Sequence, residues 1–232
     1  MSTETLSPPE LKTLNLEIDG RIGTLTLDRP DAFNAMSPEM ILEMAVAFPW
    51  LADRSGLRAL IVTGAGKAFC AGGDVNTFQQ GVQSEEIDLP SEVRRGAEAL
   101  HQAIVDLRRI PFPVIAAVNG AAAGAGFSLA LACDIRIASE AAFFACAYGR
   151  IGASPDGGMT YFLPRVVGPS RALELLDDPG HGRGLAGARG AEQRLVLGAI
   201  AQARGELLDR LRLIAGRLVR NGCLERRHFR TG

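Results

Sequence analysis

The stretch Pro113-Val114-Ile115-Ala116-Ala117-Val118-Asn119-Gly120-Ala121-Ala122-Ala123-Gly124-Ala125-Gly126-Phe127-Ser128-Leu129-Ala130-Leu131-Ala132-Cys133-Asp134 decides the fold. No charge falls between Pro111 and Cys133, and Gly120-x-x-x-Gly124 has the spacing of paired membrane helices. Pro111, Pro113 and Asn119-Gly120 break the run, however, and alanine and glycine dominate it. A buried strand over 114–118, a glycine-rich loop over 119–126 and a buried helix to about Ala132 account for it better, and no membrane insertion is expected.

Moving outward, the same succession recurs. Residues 58–63 (RALIVT) read as a buried strand running into Gly64-Ala65-Gly66-Lys67-Ala68-Phe69-Cys70-Ala71-Gly72-Gly73-Asp74. Upstream, 13–18 and 22–27 alternate apolar and polar side chains around Asp19-Gly20-Arg21, the pattern of a β-hairpin. Ser37-Pro38-Glu39 starts a helix with a cap, a first-turn proline and an acid suited to the dipole, and Pro49 is expected to end it. The polar residues 76–92 predict a mobile surface segment, with a helix from about Val93 to Arg109. Downstream come strands at 134–138 and 142–145, a glycine loop at 151–158, and helices at 158–163 and 170–176. Strands alternating with helices predict an α/β domain.

Composition narrows the function. The chain has 232 residues, 47% hydrophobic and 22% charged, enough to bury a core without disulfides. Cys70, Cys133, Cys146 and Cys223 form no C-x-x-C pair, which argues against a zinc site and predicts a reducing, cytoplasmic setting. A net charge of −1 argues against nucleic acid as a partner. The first twelve residues lack a basic patch followed by an apolar run, so no secretory leader is expected. His101, His181 and His228 have no ligand spacing, and no metal site is predicted.

Generic motifs fail on inspection. Gly64-x-Gly66 and Gly124-x-Gly126 lack the third glycine of a dinucleotide loop, because Phe69 and Leu129 stand there. Gly66-Lys67 is followed by Ala68, which a phosphate-binding P-loop does not allow. Gly126-Phe127-Ser128 approaches a nucleophile elbow, but loop residues separate it from its strand; a small polar residue in a buried helix is the better reading of Ser128. What remains is two glycine-rich junctions and one carboxylate in a third glycine loop. Main-chain amides left bare there, one set at a helix start, can hold a developing oxyanion. Asp156, poorly solvated beside them, would be a competent base. Its alternative role is a cap for the helix that follows Pro155.

These residues resemble the crotonase, or enoyl-CoA hydratase/isomerase, superfamily. The matching words, in family order, are Arg29-Pro30 with Phe33-Asn34-Ala35-Met36, the stretch Lys67 to Asp74, Pro113 to Gly120 and Gly124-Ala125-Gly126. Cys133 to Ala138 and Leu163-Pro164-Arg165-Val166-Val167-Gly168 complete the set. The resemblance covers about residues 13–176. It implies a spiral of ββα units over a core domain, 1–176, and a coenzyme A thioester as the small-molecule partner. No further cofactor is implied, since coenzyme A is part of the substrate. A homotrimer or hexamer is also implied.

By resemblance the thioester oxygen rests on the amides of Gly73 and Ala125. Alanine at 125 departs from the family's glycine; it is harmless where the backbone is right-handed and costs about 1 kcal/mol or more where φ must be positive. Phe33, Ala35, Ala71, Gly72, Asp74, Val75, Gly124, Tyr148 and Pro155 fall at substrate-binding positions. Hydratases of the family use two glutamates; here those positions hold Ser128 and Tyr148, neither able to act as a carboxylate base. Asp156 matches the functional aspartate of some double-bond isomerases and of the aromatic dehalogenase. An enoyl-CoA isomerase is therefore favoured. The alternatives are a hydratase, a dehalogenase-like reaction using Tyr148 and Phe144 as an aromatic lining, and a non-catalytic acyl-CoA binder.

Residues 177–232 change character. Eleven arginines and no lysine lie there against six acids, a local charge of +5. The family's closing helices are not legible in this segment, and codons that would encode it can, read one base later, encode family-like words. The expectation is a divergent, arginine-rich segment that is out of frame; the codons at 181–184 and 191–195 decide it.

Overall fold

The computed structural model describes residues 8–75 and 88–176. The elements in order are β1 (Leu14–Asp19), β2 (Ile22–Leu27), α1 (Pro38–Ala52), β3 (Ala59–Gly64), β4 (Ala68–Cys70) and α2 (Leu89–Arg109). They continue with β5 (Val114–Val118), β6 (Ala121–Ala123), α3 (Ala125–Ala132), β7 (Ile135–Ala138), β8 (Phe143–Ala145), α4 (Met159–Val167) and α5 (Pro169–Leu176). The larger sheet runs β1-β2-β3-β5-β7 and the smaller β4-β6-β8. Only the β1–β2 hairpin is antiparallel; every other pairing is parallel. Three successive units each place one strand in the large sheet, the next in the small one, and then a helix. This is the spiral of ββα turns that the resemblance implies.

The hairpin, β3, β5, β7 and β8 stand where the sequence puts them. Two glycine-rich stretches read as loops, 64–74 and 119–126, each contain a three-residue strand instead. Alanine-rich segments that short carry no usable alternation. Ser37 caps α1 as predicted, its hydroxyl accepting from the Met40 amide at 3.2 Å. The helix does not stop at Pro49 but runs to Ala52. Pro49 withholds one amide from the ladder, yet Phe48 and Leu51 on either side of it are fully buried, and that packing carries the last turn. Helix α2 begins at Leu89 rather than near Val93. The segment 76–87 and everything after Leu176 lie outside the described residues.

The core joins Met40, Met44, Phe48 and Leu51 of α1 and Leu100, Ala103 and Leu107 of α2 to Leu25, Leu60, Val62 and Ala116 of the large sheet. Cys70 and Cys133 are buried in it as free thiols. No helix among the described residues is long and apolar enough to cross a membrane.

One buried polar side chain ties the first loop to this scaffold. Asn34 has no solvent exposure and a left-handed backbone, φ 56°. Its carbonyl accepts from the Arg29 amide at 2.9 Å, and its amide donates to the carbonyls of Ala65 and Ala68, both at 2.8 Å. Asn34→Ala takes these bonds from the Arg29 amide and the Ala65 and Ala68 carbonyls, of which Ala68 keeps Asn119 Nδ2 at 3.2 Å, and keeps a non-glycine residue in the left-handed region. It is expected to cost about 3 kcal/mol, read as a lower urea midpoint with an unchanged slope.

Candidate active site

Strands β4, β6 and β8 are parallel, so their carboxyl ends share one edge of the small sheet. Three segments leave that edge together: Ala71 to Asp74, Gly124 to Ala125, and Cys146 to Tyr148. Open parallel sheets place ligands outside the carboxyl ends of their strands for the same geometric reason.

The first segment is zipped to the loop 33–36. The Ala71 amide donates to the Phe33 carbonyl at 3.0 Å, the Met36 amide to the Gly72 carbonyl at 2.7 Å, and the Asp74 amide to the Met36 carbonyl at 3.1 Å. This makes Gly73 the bridge residue opposite Met36. In a parallel bridge of this kind the bridge residue's own N–H points away from its partner, so the Gly73 amide faces away from Met36. An ion pair locks the arrangement: Arg29 Nη2 lies 2.9 Å from Asp74 Oδ2, and Asp74 is only 7% exposed. The same guanidinium donates from Nη1 to the Ala35 carbonyl at 2.6 Å.

Gly72 brings the second segment against the first. Its φ is +103°, and a Cβ on it would stand 2.9 Å from the Ala123 carbonyl oxygen, so no other residue fits here. Ala125 opens α3 and is not among the residues with positive φ. Alanine is therefore unstrained there, which resolves its departure from the family's glycine. The first ladder bond of α3 is Ser128 N–H to the Gly124 carbonyl at 3.0 Å. The amides of Ala125, Gly126 and Phe127 precede it and have no acceptor within the helix. The structure thus stacks Gly72 on the start of α3, with Gly73 one residue further along.

One turn into α3, Ser128 is fully buried. Its Oγ lies 2.9 Å from the Asp156 main-chain carbonyl, to which it donates, and 3.0 Å from Tyr148 Oη. Tyr148 is 7% exposed and donates its hydroxyl to Asp156 Oδ1 at 2.6 Å. Among the described residues nothing donates to Asp156 Oδ2. The loop reaches Ser128 because Gly157, φ +56°, carries no side chain: a Cβ would meet the Ser128 Cβ at 2.8 Å. Asp156 is not a helix cap, for α4 is capped by Gly158 with no side-chain bond. Its carboxylate is half-buried and turned to Tyr148.

The remaining expected residues take varied places. Phe33 and Val75 expose apolar side chains on the Gly73 side, Ala35 and Gly124 are buried, and Pro155 is half-buried. Phe144 packs against Phe127, ring centroids 5.0 Å apart, as a core aromatic rather than a pocket lining. Two features were not read from the sequence. The Arg29–Asp74 pair joins two motif words that lie about 40 residues apart in the chain. The Ser128–Tyr148–Asp156 chain spans a helix, a short 3-10 turn and a glycine loop, and no spacing rule links those.

Fold and loop geometry together are those of the crotonase superfamily. The sequence pattern of the enoyl-CoA hydratase/isomerase family matches residues 17–228, and the chain belongs to that family. It is 43% identical over 163 residues to a protein of Rhodobacter capsulatus named probable enoyl-CoA hydratase, covering 70% of this chain and 60% of that one. It is 40% identical over 158 residues to the 1,2-epoxyphenylacetyl-CoA isomerase of Escherichia coli, covering 68% and 59%. The chain thus spans about three fifths of the length of these relatives. The crystal structure of an enoyl-CoA hydratase from Polaromonas sp. JS666 superposes with a TM-score of 0.69 at 34% identity, over 88% of this chain and 76% of that one.

Burial, then the charge of Asp156 and the bond to it, push the Tyr148 phenol well above the ordinary tyrosine range. The sign follows. Below about pH 10, where a tyrosine in the unfolded chain ionises, both states hold the proton and the stability is complete. Above it the unfolded chain loses the proton first, so stability falls as pH rises. Thermal melts from pH 8 to 11 are expected to show a steeper alkaline decline for the native protein than for Tyr148→Phe.

Proposed function

We propose that the chain catalyses double-bond migration in an enoyl-CoA, with Asp156 as the single acid–base group. The observation that carries this reading is the makeup of the chain Ser128–Tyr148–Asp156. The Tyr148 hydroxyl donates to the carboxylate and the Ser128 hydroxyl to the main-chain carbonyl of the same residue, and neither can serve as a second carboxylate base. Water addition by two acids has no second acid in this cluster. Proton transfer by one acid needs none.

In this scheme Asp156 takes a proton from carbon 2 of a 3-enoyl-CoA. The electron pair delocalises over carbons 2 to 4 and the thioester oxygen, forming a dienolate. The amides of Gly73 and Ala125 stabilise the oxygen; the first is turned away from Met36, the second lies at the positive end of α3. The protonated Asp156 then delivers its proton to carbon 4, giving the conjugated 2-enoyl-CoA. Phe33 and Val75, apolar and exposed, suit the body of the ligand. No cofactor enters, because the thioester itself is the electron sink. The isomerase among the relatives supports this choice, while those named hydratases favour the second reading, hydration on the same scaffold.

Asp156→Asn is expected to lower kcat by about 10²–10⁴-fold while leaving affinity for a saturated acyl-CoA nearly unchanged. The decisive assay gives the native protein 3-hexenoyl-CoA and 2-hexenoyl-CoA separately and follows the ultraviolet absorbance of the conjugated thioester. A rise with the first substrate supports isomerisation. A fall with the second, together with a 3-hydroxyacyl product, establishes hydration instead. Binding without turnover of either leaves a non-catalytic acyl-CoA protein.

A further inference from the structure

We infer that Tyr148 is a positioning residue that fixes the rotation of the Asp156 carboxylate and thereby leaves Oδ2 as the oxygen that moves the proton. The inference rests on the reading of Asp156 given above and adds a group that the scheme does not itself require.

The geometry is directional. A phenol has one hydrogen, and Tyr148 places it on Asp156 Oδ1 at 2.6 Å, a length typical of an O–H donor on a carboxylate. Ser128 also has one hydrogen. Its donation to the Asp156 main-chain carbonyl pins the loop, while its oxygen stands 3.0 Å behind the phenol. Backbone and carboxylate are therefore held by two neutral hydroxyls, one from α3 and one from the 3-10 turn that Tyr148 opens. The ring of Tyr148 is buried, so the phenol has little freedom to swing away. Its raised ionisation range keeps it a donor across the working pH of any such enzyme. With Oδ1 engaged, the half-exposed carboxylate offers Oδ2, which takes no bond from the described residues. An oxygen held in one orientation can meet carbon 2 and carbon 4 of one bound dienolate in turn, and that orientational restriction is where positioning contributes to rate.

The test is steady-state kinetics on 3-hexenoyl-CoA with Tyr148→Phe, which deletes only the hydroxyl, alongside Ser128→Ala and Asp156→Asn. Affinity for hexanoyl-CoA and the melting temperature are measured in each. Tyr148→Phe is expected to lower kcat by about 10- to 100-fold with KM and hexanoyl-CoA affinity within about twofold of native. Ser128→Ala, which removes the backing of the phenol, is expected to lower kcat less. With substrate deuterated at carbon 2, the deuterium carried to carbon 4 is expected to fall in Tyr148→Phe, because a freely rotating carboxyl exchanges with solvent before it returns the label. Native kcat in Tyr148→Phe would overturn the inference. So would an unchanged kcat with KM and affinity weakened in parallel, since the ring would then only line the pocket. If Asp156→Asn is inactive while Tyr148→Phe is native, the positioning role alone is lost. If Asp156→Asn turns over normally, the reading beneath it is lost too.

Discussion

The site depends on the parallel alignment of three very short strands. β4, β6 and β8 contribute three residues each, and their common direction delivers Gly73, Ala125 and Tyr148 to one edge. An antiparallel arrangement would send one of these segments to the opposite end of the sheet. The small sheet is held by its place above the larger one, since each of its strands follows directly on a strand of the five-stranded sheet. Its neighbours then finish the positioning. The loop 33–36 zips onto 71–74, and the bare Cα of Gly72 lets α3 begin against it. Precision at the edge thus comes from backbone bonds and close packing more than from side chains.

The electrostatics of this edge are economical. Arg29 neutralises Asp74 beneath the first loop, so the nearby negative charge is spent on structure. The start of α3 presents partial positive charge where an oxyanion would form. One turn into α3, Ser128 binds the Asp156 backbone, and Tyr148 binds the Asp156 carboxylate. The Ala125 amide and the Asp156 loop are therefore both referenced to α3, and a shift of that helix would move them together.

Much of this was legible in the sequence, and what was not has physical reasons. The hairpin, the buried strands β3 and β5 and the cap at Ser37 follow from alternation, apolar runs and turn chemistry, all local signals. β4 and β6 were missed because their identity lies in pairing partners some fifty residues away along the chain, and Ala121-Ala122-Ala123 has no intrinsic strand pattern. Pro49 misled because a local rule about helix breaking was outweighed by the burial of Phe48 and Leu51. The loops that carry Gly73 and Ala125 were legible as glycine words, whereas the bond from Tyr148 to Asp156 was not. That contact depends on how a 3-10 turn and a glycine loop fold over Ser128, a tertiary event with no periodicity to betray it.

Cys70 ends β4 immediately before the loop of Gly73, with its thiol buried and its ionisation pushed up to about 12 by loss of solvent. Only a thiolate is readily attacked by peroxide or exchanged into mixed disulfides. Burial therefore holds the sulfur beside the Gly73 loop as the protonated thiol, the form least open to oxidation.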